Sequence, residues 1–331
     1  MEKSQQTPTK SICGWNRKPF NMYADKLKKE WLQDFMEYLD VLPKTKESYK
    51  GAIIQFYEWL EVNQIQRPTR ADILQYRDDL KQNHKNTTVL AYIVALRRYF
   101  KWLNQIQLYP NIADDIKGAK VSKNFKKDYL TSDQVKHVLS NLEASESDIT
   151  AMRNKAMILL MVTCGLRTIE VSRANIEDLQ RRGNRTVLYV QGKGKEDKSD
   201  FINVPFEVDI EINKYLIYRD ASESGPLFIS HSNNSIGQRL TTRSIRGIVK
   251  EALSNANLTS DRLTAHSLRH TAITLALIGN EPLEAVSQLA RHTSINTTMI
   301  YNHALDMDNN TCSETVMQMI ADEKKDSRNT T

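Results

Sequence analysis

The sequence predicts a mainly α-helical protein: an N-terminal helical bundle, then a mostly helical domain carrying a small antiparallel sheet. Three observations predict it. Apolar residues recur at helical steps through most of the chain, and that period gives way to alternation between residues 185 and 205. A lysine-rich stretch, "KGAKVSKNFKK" at 117–127, divides the helical pattern in two. With 331 residues the chain is long enough for two domains, each burying its own core. The expected division is a polar N-terminal extension (1–23), a helical bundle (24–116), a linker (117–127) and a second domain (128–331).

Four helical segments are expected between about residue 24 and residue 107. In "TKESYKGAIIQFYEWLEVN" the residues Tyr49, Ile53, Phe56, Tyr57 and Leu60 fall on one face. Val89, Ile93, Leu96, Phe100 and Leu103 do the same in "NTTVLAYIVALRRYFKWLNQIQ", which Asn86 or Thr87 can cap. "LKKEWLQDFMEYLD" and "RADILQYRDDLKQN" complete a small bundle. The linker holds five lysines, no acid and few large apolar residues, so it reads as a solvated domain boundary. A cationic strap of this kind also suits a protein that wraps a polyanion.

The second domain opens at "DYLTSDQVKHVLSNL", where Thr131 or Ser132 caps a helix. A long helical pattern follows, "TAMRNKAMILLMVTCGLRTIEVSRA", with Gly165 permitting a break. Two strands are expected, Thr186 to Val190 and Asp200 to Val204, joined by a turn rich in glycine and lysine. From Val208 helical patterns return and run nearly to the end.

Composition bounds the class. The chain is 40% hydrophobic and 26% charged, ordinary for a globular protein, and its net charge of +6 is only mildly basic. The longest apolar run, Ala156 to Val162, is too short to cross a bilayer, and the first residues form no secretory signal. Three widely separated cysteines argue for a reducing compartment, so a cytoplasmic location is expected.

Chemistry concentrates in the second half. "GKGK" lacks both the leading glycine of a phosphate-binding loop, Val187 standing there, and its Ser or Thr, Gly194 standing there. It leaves Lys193 at a turn tip between glycines, which is also how a plain exposed lysine would look. In "TAHSLRH", His266 and His270 share a helix face, but Arg269 between them disfavours a metal. Two readings stay open: a buried network at His270, or an anion site formed by His266 and Arg269 in the first turns after the cap Thr264. Arg167 and Glu170 lie three apart, as in a surface ion pair, and Tyr301 follows His292 by nine residues, where a tyrosine ordinarily packs.

Taken in order, "GLRTIE", "QGKGK", "HSLRH", "ARH" and "TTMIY" resemble the motifs of the tyrosine recombinases, also called phage integrases, which include the Xer recombinases. The resemblance spans residues 128 to about 305, and the bundle looks like that family's core-binding domain. One departure is visible: the family usually has glycine before the later histidine, where Arg291 stands.

The resemblance implies a site-specific DNA recombinase. Tyr301 attacks a phosphodiester to form a 3′-phosphotyrosyl link, while Arg167, Arg269 and His292 hold the phosphate oxygens. Lys193 is then the general acid, and His266 contacts the phosphate and assists proton transfer from the tyrosine. Glu170 and His270 support from behind, His270 chiefly by packing. No metal, cofactor or ATP is implied.

The implied partner is duplex DNA with specific recombination sites, clamped by the two domains. Lys117, Lys120, Lys123, Lys126 and Lys127 of the strap, with Arg97 and Arg98 of the fourth helix, are the expected DNA contacts. Protomers would act as a tetramer on two duplexes, exchanging a C-terminal helix at about 311–325 whose stripe is Val316, Met319 and Ile320. Few residues precede the bundle, which favours a simple recombinase, Xer-like or from a small mobile element. The competing functions are a non-catalytic DNA-binding protein of recombinase descent and a type IB topoisomerase-like enzyme.

Overall fold

The computed structural model of the chain describes residues 23–120, 128–142, 148–192, 194–221, 224–308 and 311–326. The chain divides into two compact units, Met1–Lys123 and Asn124–Thr331. No helix among the described residues is long and apolar enough to cross a membrane.

Four helices build the first unit: α1 (Trp31–Tyr38), α2 (Pro43–Val62), α3 (Arg70–Asn83) and α4 (Asn86–Gln105). Pro43 opens α2 in the first turn, where a missing N–H costs nothing. Asp72 caps α3 by accepting from the Thr69 N–H at 2.6 Å. The periodic apolar faces of α2 and α4 meet in an aromatic core, with the Phe56 ring 5.1 Å from Tyr76 and 6.0 Å from Phe100. Tyr57 and Tyr99 bury their hydroxyls by pairing them at 2.7 Å.

Two expectations for this unit shift. The cap of α4 is Lys85, one residue earlier than expected, and the Asn86 side chain instead donates to the Lys120 carbonyl at 2.9 Å. The start of the lysine-rich stretch is packed rather than free. Ala119 is buried, Arg77 donates to the Lys117 carbonyl at 3.3 Å, and a Cβ on Gly118 would stand 2.6 Å from Leu90 Cδ1. Only glycine allows that approach. Lys123, Lys126 and Lys127 lie outside the described residues.

In the second unit, α5 (Ser132–Ser140) is capped by Thr131, whose hydroxyl accepts from the Gln134 N–H at 3.3 Å. Asp148 caps α6 (Ile149–Cys164) through the N–H groups of Thr150 and Ala151 at 2.9 and 3.1 Å. α6 is the central helix, with Ala156, Met157, Ile158, Leu160, Met161 and Val162 all buried. It ends at Gly165 with φ +59°, and α7 (Thr168–Arg173) sets off in a new direction.

The sheet has three strands rather than two. β1 (Leu179–Arg182), β2 (Arg185–Val190) and β3 (Asp200–Val204) pair antiparallel in that order, with Leu179 opposite Leu188 and Val190 opposite Asp200. β1 reads "LQRR" and has no alternation to reveal it; its pairing with β2 makes it a strand.

Helix returns with α8 (Phe206–Tyr218) but not continuously: the described residues between 219 and 241 carry no helix, and isolated bridges pair Asn175 with Pro226 and Ile229 with Arg239. The unit closes with α9 (Thr242–Asn255), α10 (Ala265–Ile278), α11 (Leu283–Ala290), α12 (Asn296–Asp308) and α13 (Cys312–Asp326). α10 packs on α6 and is buried almost without interruption from Ala265 to Thr274. A small separate core of Ile273, Val286, Ala290 and Tyr301 ties α10, α11 and α12 together.

Candidate active site

The site is assembled where α6 ends, α10 begins and α11 gives way to α12. The left-handed turn at Gly165 frees its carbonyl, and that oxygen accepts from Arg269 Nη1 at 2.6 Å and from Arg291 Nη2 at 3.1 Å. Two residues on, Arg167 occupies the cap of α7 and Glu170 reaches back to it. The Glu170 carboxylate accepts from the Arg167 backbone N–H and from Arg167 Nη1, both at 2.8 Å. This is no surface ion pair: Glu170 is fully buried. Burial alone would push its carboxyl up, but the guanidinium of Arg291 and the donors of Arg167 outweigh that and hold it below the usual carboxylate range.

Arg269 lies in α10, which starts at Thr264, whose N–H donates to Ser267 Oγ at 3.0 Å. Its guanidinium is only 2% exposed, and besides Gly165 it donates to the Ala290 carbonyl. Burial and the neighbouring Arg167 and Arg291 lower its pKa to about 9, so it still carries its charge at neutral pH.

His266 stands exposed one turn earlier, its ring 4.5 Å from that of His270. His270 is buried, as a packing residue should be, yet its Nδ1 meets the Tyr301 hydroxyl in a hydrogen bond. The spacing of the motifs holds no hint of that contact, because the two residues are 31 apart in the chain.

Tyr301 is brought in by α12 and is 7% exposed. Burial raises its pKa to about 12 while Arg269 and Arg167 pull the other way, which is the direction an anionic phenolate needs. His292 stacks on the Tyr301 ring at 6.3 Å and pairs its Nδ1 with the Thr298 hydroxyl at 2.8 Å. Burial, then Arg269, Arg167, Arg291 and His266, lower its pKa to about 4. It is therefore neutral at pH 7, and the tautomer in which Nδ1 accepts from Thr298 leaves a proton on Nε2 to donate.

Arg167, Glu170, Arg269, His270, His292 and Tyr301 are thus gathered at one place, with His266 at its edge. Lys193 lies outside the described residues. Its hairpin is tethered to the site's scaffold by Arg173 of α7, whose Nη1 donates to the Gly192 carbonyl at 3.4 Å. In the first unit Arg97, Arg98, Lys117 and Lys120 are all exposed.

Two participants escape the sequence, Thr298 and Arg173, and Arg291 shows there only as a departure from the family pattern, without its inward direction. Thr298, fully buried and three residues before Tyr301 in α12, is the one a helical spacing could have suggested.

Residues 128–307 match the model of the phage integrase family, and residues 29–107 match that of the phage integrase N-terminal SAM-like domain. The chain belongs to the phage integrase family. Among curated relatives of this family member, the tyrosine recombinase XerC of Leptospira interrogans is 27% identical over 293 residues, covering 85% of this chain and 91% of the relative. The tyrosine recombinase XerA of Pyrococcus furiosus is 27% identical, covering 83% and 90%. The integrase-family fold is shared with XerH recombinase bound to a palindromic difH substrate in a post-cleavage complex. That match has a TM-score of 0.71 and 19% identity, covering 88% of this chain and 85% of that one. A lambda integrase dimer bound to a core site superposes with a TM-score of 0.65 at 16% identity, covering 81% and 96%.

Proposed function

We propose that the chain is a site-specific DNA recombinase that cuts and rejoins duplex DNA through a covalent 3′-phosphotyrosyl intermediate. One observation carries this reading: a buried tyrosine hydroxyl shares one pocket with Arg167, Arg269 and a neutral His292. The relatives named above act as tyrosine recombinases, and two structural neighbours were captured on DNA.

In this mechanism the Tyr301 oxygen bonds to phosphorus as the bond to the 5′-oxygen breaks, and the reverse step passes the strand to a partner end. The proton of the tyrosine has a ring nitrogen in place to receive it, His270 Nδ1, with His266 beside that ring. Arg167 and Arg269 hold the non-bridging oxygens, and His292 donates from Nε2 as negative charge grows there. Glu170 fixes Arg167. Lys193, on its glycine-flanked turn, protonates the leaving 5′-oxygen. The phosphotyrosine conserves the bond energy of the broken linkage, so rejoining needs no ATP.

On this reading residues 24–116 and the following lysines hold the DNA duplex, with Arg97, Arg98, Lys117 and Lys120 on phosphates. Each such contact steepens the salt dependence of binding by about 0.9 log unit per log unit of salt. Val316, Met319 and Ile320 of α13 then seat in a neighbouring protomer within a tetramer on two duplexes.

The test is a duplex carrying a nick beside the scissile phosphate, which traps the covalent product. Wild-type protein is expected to give an adduct on a denaturing gel and Tyr301→Phe none. An adduct from Tyr301→Phe, or none from wild type on DNA flanking its own gene, overturns the mechanism. Relaxation of arbitrary supercoiled DNA would favour the topoisomerase function instead.

A further inference from the structure

Arg291 is a residue of unusual backbone and unusual burial. It ends α11 at φ +50°, ψ +49°, the left-handed region that glycine occupies freely and a long side chain does not. A glycine would serve this turn without strain. Its side chain is 7% exposed and points inward.

Both terminal nitrogens of that guanidinium are engaged. Nη2 lies 2.7 Å from Glu170 Oε2 and 3.1 Å from the Gly165 carbonyl, and Nη1 lies 2.8 Å from the Leu289 carbonyl. The buried Nε has no hydrogen-bond partner among the described residues. One side chain therefore joins the end of α6, the buried carboxylate of α7 and the end of α11. Arg291 itself is the residue immediately before His292.

We infer that Arg291 is a positioning residue: it cross-links the turn that carries His292 to the Glu170–Arg167 pair, setting the distance between His292 and Arg167. The inference rests on the recombinase reading, because it concerns the alignment of two groups on one phosphate. Arg167 donates to Glu170 Oε1 through Nη1 and to Oε2 through its backbone N–H, and Arg291 Nη2 shares Oε2, so one carboxylate ties the two arginines together. A lysine cannot replace it, since a single ammonium lacks the fork that spans a carboxylate and two carbonyls.

Arg291→Gly is the informative variant, because it relieves the backbone while removing the cross-link. Wild type and variant are compared on the same nicked duplex for adduct rate and, separately, for noncovalent binding. The expected result is an adduct rate lowered by about 10- to 100-fold, the scale of a small misalignment of reacting groups. Binding should change by less than the rate. Millimolar guanidinium ion, far below denaturing levels, should restore part of the lost rate by filling the vacated space, and Arg291→Lys should remain impaired.

Thermal unfolding of each variant guards against simple loss of fold. Wild-type rates from Arg291→Gly overturn the inference, and so does a rate loss that guanidinium leaves untouched in a variant that melts like wild type. Failure of wild type itself to form an adduct would instead strike the recombinase reading.

Discussion

At the scale of single residues, hydrogen bonding and charge decide what each group can do. Arg269 is held by two carbonyls, and a lysine reaches at most one of them. Arg269→Lys therefore leaves the Ala290 carbonyl buried and unmet, at a cost of about 1–3 kcal/mol. Urea unfolding should show the midpoint falling with the slope unchanged; an unmoved midpoint would mean that the carbonyl finds another donor. His292 gives a pH prediction. Its folded pKa of about 4 lies below the ordinary value of 6.5, so the unfolded chain binds more protons between those values. Stability is therefore fully present above about 6.5 and is lost as the pH falls toward 4. His231 is shifted the same way, so the comparison must be made against His292→Asn, whose melting temperature should fall less over that window. Equal slopes for the two proteins would remove His292 as a cause.

Local conformation dominates at the scale of elements, and the α6–α7 junction shows how much of the site was readable. Gly165 permits a break in an otherwise continuous helical pattern, and the structure breaks the helix there with φ +59°. A Cβ at that position would sit 3.5 Å from Ala272 Cβ, an ordinary contact, so the cost of Gly165→Ala is conformational, about 1–2 kcal/mol. Gly165→Asn should cost less, because asparagine tolerates the left-handed region. Melting temperatures in the order Gly, Asn, Ala would bear this out, and Ala above Asn would refute it. The helices of both units announce themselves because burial and helical period are the same signal. β1 does not, because its four residues become a strand only through their partner. Motif order marked where Arg167, Arg269, His292 and Tyr301 stand, but no motif tells where a side chain turns. The inward Arg291 and the His270–Tyr301 contact are decided by folding that brings distant segments together.

At the scale of the whole molecule, α13 keeps an apolar stripe out of the core. Val316, Met317, Met319 and Ile320 on α13 are between 49% and 68% exposed. A charge placed there should leave stability within about 0.5 kcal/mol of wild type, as at other exposed positions. Met319→Glu is thus expected to melt like wild type and still form an adduct on a single site. It should fail to assemble two duplexes into one complex by native gel. A variant that still assembles them would show that this face does not join protomers.

The convergence of guanidinium groups on one buried carboxylate carries a last consequence. Arg167, Arg269 and Arg291 bring three positive charges, and among the described residues Glu170 is the acid paired with them, through Arg167 and Arg291, so positive charge is in excess there. Burial first, then Arg167 and Arg291, depress Arg269, and on the proposed mechanism a doubly negative pentacoordinate phosphorus meets that charge better than the diester does. Low-millimolar vanadate, which adopts that geometry, should accordingly raise the melting temperature of wild type and leave Arg167→Ala unmoved.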